Sequence, residues 1–249
     1  MTTSGVIIVT GASRGIGRAV ALKLAATGHT ILVNYIANAA AAHEVVAQIK
    51  ASGGRATSFA GDVAVEADIL ALFAEADRLG PLVGLVNNAG IVMPISRVDA
   101  YSAERVARMM AVNVTGSILC AREAVKRLST RHGGLGGVIV NLSSIAARLG
   151  APGEFVDYAA SKGAIDSFTV GLAKEVAAEG IRVVAVRPGL IDTEIHASAG
   201  APDRAQRMAA TVPIPRVGTA DEVADAVVWL MSDAARYVTG TFIDVTGGR

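Results

Sequence analysis

What most constrains this chain is its alternation of short runs, apolar at nearly every position, with longer Ala-rich segments of helical spacing. Val6–Thr10, Thr30–Asn34, Arg55–Ala60, Leu82–Val86, Val138–Leu142, Ile181–Val186 and Phe242–Val245 read as strands. Between them, Ile16–Ala26, Ala39–Ala51, Glu66–Leu79, Ala103–Leu128, Tyr158–Ala178 and Ala220–Leu230 read as helices. A strand that is apolar throughout, rather than at every second residue, has to be covered on both faces. Such strands alternating with helices form right-handed βαβ crossovers, so the pattern predicts an α/β fold with a doubly wound parallel sheet of about seven strands and helices on both faces. No internal repeat or linker divides the chain, which predicts one domain over residues 1–249. The least regular stretch, about residues 190–219, carries Pro202, Pro213 and Pro215 among Ala and Gly. It is expected to be a loop with a short helix, and a candidate substrate lid.

Composition narrows the classes further. With 23 Lys+Arg against 22 Asp+Glu the net charge is +1, which gives no electrostatic support for a nucleic-acid partner. Hydrophobic residues make up 52% of the chain, yet no stretch approaches the roughly 18 uninterrupted apolar residues of a membrane span. The opening Met1-Thr-Thr-Ser-Gly lacks the basic region of a signal peptide. A single cysteine, Cys120, permits no internal disulfide and reads as a small buried hydrophobe. Four scattered histidines lack ligand spacing, so no metal site is expected, and His196 in the candidate lid reads as an exposed loop residue. The expectation is a soluble cytoplasmic protein with no membrane partner.

Two local patterns carry chemistry. The first strand runs into Thr10-Gly-Ala-Ser-Arg-Gly-Ile-Gly17, which opens a helix. Gly11, Gly15 and Gly17 allow a tight turn and close approach of a phosphate to the backbone, and the helix N-terminus favours a pyrophosphate there. After the second strand, where an NAD site favours an acid that accepts both ribose hydroxyls, stand Asn34 and Tyr35. No carboxylate would repel a 2′-phosphate at that place, and Arg14 in the glycine loop could pair with one, so NADP(H) is preferred and NAD(H) remains possible. The second pattern is Tyr158-Ala-Ala-Ser-Lys162, in which phenol and ammonium share one helical face. A phenol titrates near pH ~10, and an adjacent cation favours its ionised form. A downward shift of about two or three units, at roughly 1.4 kcal/mol each, would make Tyr158 a working acid and base. Fourteen residues before Tyr158 lies Ser144, at the carboxyl end of the fifth strand.

Taken together, these residues resemble the short-chain dehydrogenase/reductase family over essentially the whole chain. Thr10–Gly17, with Ser13 and Ile16, is similar to the family's cofactor loop, and Asn87-Asn-Ala-Gly90 to the motif after its fourth strand. Asn113, Ser144, Tyr158, Lys162 and Pro188-Gly-Leu-Ile-Asp-Thr193 follow in the family's order. The resemblance implies a Rossmann-type fold and a nicotinamide-dependent hydride transfer between the cofactor and a ketone or alcohol. It makes Tyr158 the general acid or base and Ser144 the donor to the substrate oxygen, with Ser143 as the alternative. Lys162 would depress the Tyr158 pKa and bind the nicotinamide ribose, and Asn113 would hold a water in a proton relay. By the same resemblance Asp62 and Val63 would hold the adenine. Asn88, Ala89 and Gly90 would meet the adenosine ribose, and Pro188, Gly189, Ile191 and Thr193 the carboxamide and pyrophosphate. Sugar-dehydrogenase-like and 3-oxoacyl-carrier-protein-reductase-like substrates both fit. Arg131 would serve carrier docking, although Glu179 stands where a second arginine is expected. Arg148 and Glu154 read as substrate-entrance residues. A homotetramer is implied, packed through the long helix and Tyr158–Ala178, and Trp229 is expected in packing or a subunit contact. The reading from another class is a catalytically inactive NAD(P)-binding regulatory protein.

Overall fold

The computed structural model describes residues 4–249; residues 1–3, where the signal-peptide reading begins, and the side chain of His196 lie outside the described residues. Seven strands form one parallel sheet: β1 (Val6–Val9), β2 (Thr30–Tyr35), β3 (Arg55–Ala60), β4 (Leu82–Asn87), β5 (Gly137–Leu142), β6 (Ile181–Pro188) and β7 (Phe242–Val245). Their order is β3-β2-β1-β4-β5-β6-β7. The helices are α1 (Gly15–Ala26), α2 (Ala39–Ala51), α3 (Glu66–Leu79), α4 (Ala103–Met110), α5 (Ser117–Leu128), α6 (Ala146–Leu149), α7 (Val156–Val176), α8 (Ile195–Ser198), α9 (Arg204–Met208) and α10 (Ala220–Met231). This is the doubly wound α/β fold that the sequence pattern predicts.

The reason the strands are apolar throughout is visible in β1. Ile7 and Val9 enter a core with α1, α2 and α10, while Val6 and Ile8 enter a second core with α3, α5 and α7. Each residue of a strand alternates in direction, so with helices on both faces none of these side chains reaches water.

Three differences from the sequence reading have physical causes. First, β4 and β6 run one and two residues further, to Asn87 and Pro188, because the parallel ladder continues there through the Asn87–Asn141 and Pro188–Val245 pairings. Second, the expected helix Ala103–Leu128 is not uniform: residues 111–116 form a wider π turn between α4 and α5. Gly116, at its end, lies so close to the Val63 carbonyl that an added Cβ would stand 2.6 Å from that oxygen. Third, the irregular segment holds two short helices, α8 and α9, rather than one. Its ends are pinned together: Ile191 bridges Gly218, Asp192 donates its N–H to the Gly218 carbonyl (2.9 Å), and Gly218 donates to Leu190 (2.9 Å). Among the described residues no helix is long and apolar enough to cross a membrane.

Candidate active site

The strand order reverses between β1 and β4, and open α/β sheets form a crevice outside the carboxyl ends of their strands at such a point. A cleft of about 690 Å³ lies there, within the usual range for a small-molecule site. The expected catalytic and cofactor-binding residues line this cleft except Asn113, and Glu154 lines it too, whereas Arg148, expected at the substrate entrance, is turned to Asp244 and does not.

The glycine loop is fastened to the end of β4. Thr10 Oγ1 accepts the N–H groups of Asn88 and Ala89, both at 3.0 Å, and Asn88 Nδ2 donates to the carbonyls of Thr10 (2.8 Å) and Gly11 (3.0 Å). Gly11 has φ +62°, and a Cβ there would lie 2.9 Å from Ala89 Cα. A Cβ on Gly17 would stand 2.4 Å from Asn88 Nδ2 and 2.6 Å from the Gly11 carbonyl oxygen. At both places only glycine allows the chain to come this close. Helix α1 then begins with no side-chain cap and no acid in its first turn. An uncapped helix N-terminus beside a cradle that side chains would fill fits the pyrophosphate of a dinucleotide.

The far wall of this half comes from β2 and β3. Asn34, only 3% exposed, accepts the Gly11 N–H (3.3 Å) and donates to the carbonyls of Gly61 (2.9 Å) and Phe59 (3.4 Å). Its side chain is therefore committed to backbone, a structural use that the sequence reading missed. Beyond it, Tyr35, Ile36, Ala37 and Asn38 line the cleft without a carboxylate. Arg14 also lines it, is exposed, and pairs with no carboxylate among the described residues. Asp62 accepts the Ala64 N–H (2.9 Å) and an Arg108 N–H (2.8 Å). Across the glycine loop, an added Cβ on Gly15 would lie 3.5 Å from Thr193 Cβ, and Gly189 donates its N–H to Val245 (2.9 Å).

The other half of the cleft gathers β5, α6 and α7. Of the two serines ending β5, Ser143 Oγ turns inward and donates to Asp166 (2.6 Å) and toward the Lys162 carbonyl (3.3 Å). Ser144, in contrast, lines the cleft, accepts the Ala146 N–H (3.1 Å) and hydrogen-bonds the Tyr158 side chain. Lys162 Nζ lies 5.6 Å from the centre of the Tyr158 ring and donates to the Leu142 carbonyl at 2.7 Å.

The electrostatics here correct one expectation. Burial pushes the Tyr158 phenol above its ordinary value, with the Ser144 hydrogen bond acting the other way. Burial also lowers Lys162 to about 8, opposed by the Asp166 carboxylate one turn along the helix. The influences on the phenol are its burial and the Ser144 hydrogen bond, and the Lys162 ammonium is bonded to the Leu142 carbonyl. The cost of a buried phenolate exceeds the help of the Ser144 hydrogen bond.

Asn113 is fully buried in the π turn. Its Oδ1 accepts the Ile91 N–H (2.8 Å), and its Nδ2 donates to the Ile91 carbonyl (3.0 Å) and approaches Ser161 Oγ (3.1 Å). Its side chain thus fixes the loop after β4, while its Oδ1 stands, like Lys162 Nζ, 3.5 Å from where a Cβ on Gly90 would be.

Several residues of this region carry no motif. Arg105 grips Asp157 with two nitrogens (2.7 and 3.3 Å), and Asp157 accepts the Tyr158 N–H (2.9 Å) at the start of α7. Asp166 is held by Arg187 (2.8 Å), which also reaches Asp244 (3.6 Å), itself paired with Arg148 (2.9 Å). Arg148 thus anchors α6 to β7. Arg131 pairs with Glu179 at 3.2 Å, just before β5 and β6, at the end of the sheet away from the cleft. Trp229 is 41% exposed on α10, and Cys120 is buried.

A family model described as enoyl-(acyl carrier protein) reductase matches residues 11–249. The uncharacterized oxidoreductase YgfF of Escherichia coli (strain K12) is 55% identical over 245 residues, which is 98% of this chain and 99% of the relative. A 3-oxoacyl-[acyl-carrier-protein] reductase of Synechocystis sp. is 38% identical over 248 residues, 99% of this chain and 97% of the relative. Among solved structures, a short chain dehydrogenase from Burkholderia cenocepacia in complex with NADP superposes with a TM-score of 0.89 at 33% identity, covering 97% of this chain and 96% of that one.

Proposed function

This chain belongs to the short-chain dehydrogenase/reductase family and is an oxidoreductase, and from that premise we propose that it interconverts a ketone and a secondary alcohol with NADP(H), Tyr158 being the general acid and base. The observation that carries the reading is the convergence of Ser144, Tyr158 and Lys162 at one end of a cleft whose other end is the glycine cradle. When bound, the nicotinamide supplies or accepts the hydride. The chain's own groups handle the rest. Ser144 donates to the substrate oxygen as charge develops on it. The buried Tyr158, protonated at neutral pH, gives its proton to that oxygen in reduction and takes it back in oxidation. Lys162 places a positive charge beneath the phenol, and Asn113 positions the loop that carries Gly90.

Preference for NADP(H) rests on the absence of a carboxylate among Tyr35–Asn38 and on unpaired Arg14, and the Burkholderia relative holds NADP. The Gly11–Gly17 loop with Ser13 and Ile16 would hold the pyrophosphate, Asp62, Val63, Asn88 and Ala89 the adenosine, and Pro188, Gly189, Ile191 and Thr193 the nicotinamide end. The pinned segment over 190–219 serves as the substrate lid. Carrier docking through Arg131 finds no support within one chain, since that residue stands at the end of the sheet away from the cleft and pairs with Glu179. We assign the protein a homotetrameric, cytoplasmic state, which light scattering tests for the assembly.

The test is consumption of NADPH, with NADH in parallel, over a panel of ketones. Tyr158→Phe lowers kcat by about 10²–10⁴-fold while leaving NADPH binding, read by fluorescence, within a few fold. Equal rates in the two proteins refute the assignment. NADPH binding with no turnover in the wild type supports a regulatory binding protein instead.

A further inference from the structure

The half of the cleft beside Tyr158 is lined mainly by apolar side chains, among them Ile145, Leu149, Phe155, Leu190, Ala199 and Met208. Leu149, at 47% exposure, leaves an apolar mouth. Into this surface come two charged groups from separate elements. Glu154 lies four residues before Tyr158, and Arg204 opens α9 in the pinned segment. They pair through two of the three guanidinium nitrogens, Nε at 3.3 Å from one carboxylate oxygen and Nη2 on the other. Their side chains are 15% (Arg204) and 33% (Glu154) exposed. The Arg204 guanidinium also stands 5.4 Å from the centre of the Phe155 ring.

Glu154 is not placed there by a flexible loop. Ala151, also in the cleft wall, has φ +45°, the one non-glycine residue in the left-handed region among those described. An alanine held so is strained and persists only where its surroundings determine it. The surroundings are present: the Ala151 carbonyl accepts the N–H groups of Glu154 (3.3 Å) and Phe155 (3.0 Å), and the Glu154 carbonyl accepts from Ser96 (3.2 Å). Backbone strain and three hydrogen bonds thus fix a carboxylate onto the arginine that would otherwise face the substrate.

Building on the oxidoreductase reading above, we propose that the Glu154–Arg204 pair sets the substrate class. With Glu154 in place the cleft takes an uncharged, largely apolar ketone or secondary alcohol, and Glu154 is the specificity-determining residue that keeps Arg204 from holding a carboxylate. A substrate anion would have to displace a carboxylate already seated on the guanidinium and would leave Glu154 as a like charge beside it. A sugar would leave its hydroxyls against an apolar wall. Arg249 lines the same cleft and is separated from Arg204 by mutation.

The experiment offers aryl methyl ketones as matched pairs, 4-acetylbenzoate and its methyl ester among them, with NADPH. The ratio of kcat/KM for acid over ester is the readout. Wild type favours the ester. Glu154→Gln, isosteric and able to accept one hydrogen bond from Arg204, raises the ratio by about 10–100-fold, the scale of a charge-assisted contact made available to the substrate. Arg204→Gln alone lowers it below wild type, and the double variant abolishes the gain. Calorimetric titration of 4-acetylbenzoate into the protein loaded with NADP follows the same order without turnover. A ratio that Glu154→Gln leaves within twofold, a wild type that favours the acid, or a gain that survives in the double variant and is lost only with Arg249→Gln each overturns the proposal while leaving the oxidoreductase reading intact. A wild type that reduces none of the ketones overturns both.

Discussion

Replacing Gly17 by alanine tests the packing of the cofactor cradle without any cofactor present. The new methyl would meet Asn88 Nδ2 at 2.4 Å and the Gly11 carbonyl oxygen at 2.6 Å. Neither can yield cheaply, because that amide already bonds the Thr10 and Gly11 carbonyls. Overpacking of this kind costs about 1–3 kcal/mol. Displacing the amide from its two acceptors adds roughly 1 kcal/mol for each bond. Against this stands the helix preference of alanine over glycine, at most about 1 kcal/mol and smaller in a first turn. The net is a loss of about 3 kcal/mol, or a melting point lower by roughly 6–12 °C for a chain of this size. Gly171, on the outer face of α7 with nothing within 4 Å of its added Cβ, is the matched control. There the same substitution stabilises by about 0.5–1 kcal/mol. Thermal unfolding of both apoproteins decides the matter. A Gly17→Ala protein that melts within two degrees or so of wild type refutes the argument that Asn88 locks the loop.

Two further predictions concern charge. Lys162 titrates near 8 in the folded protein, below its ordinary 10.5, so it loses its positive charge as pH rises through about 8 while Tyr158 stays protonated. Measured as kcat/KM for NADPH, which reports the free protein, ketone reduction falls with an inflection near 8, and a flat profile from about pH 6 to 9 contradicts the role given to Lys162. Arg105→Ala leaves the Asp157 carboxylate, 2% exposed, without its cation and costs about 3–5 kcal/mol at neutral pH. Burial alone would raise Asp157, but Arg105 and the Tyr158 N–H hold it below the usual carboxylate range, so in wild type this stability is present above that range and lost as pH falls through the lowered value. In the variant burial prevails and the carboxyl takes up a proton more readily. The deficit measured by urea unfolding is therefore largest at pH 7 and shrinks at pH 4 and below.

Much of the fold was legible because its signals are local. Apolar runs covered on both faces mark the strands, and the glycine loop, Ser144 and the Tyr158–Lys162 spacing mark the two ends of the cleft. What stayed hidden depends on contacts between distant parts of the chain. The π turn at 111–116 goes with the close approach of Gly116 to the Val63 carbonyl, a contact between distant parts of the chain that no local apolar period encodes. Asn34 could not be told from a ribose-binding residue without knowing that Gly61 and Phe59 lie beside it. The pairs Arg105–Asp157, Glu154–Arg204 and Arg187–Asp166 join residues 52, 50 and 21 positions apart. The rise in the Tyr158 pKa was missed for a related reason. Helical spacing shows that an ammonium is near but not how dry the phenol is, nor that the ammonium is bonded to Leu142.

The hydrogen bonds that join Asn88 and Ala89 to Thr10 and Gly11 lie wholly within the chain. The shape of the glycine loop is therefore set by the chain's own donors and acceptors, none of which a dinucleotide has to supply. Discrimination among dinucleotides then falls to side chains at the rim, such as Arg14 and Tyr35, which can be exchanged without disturbing the mould beneath them.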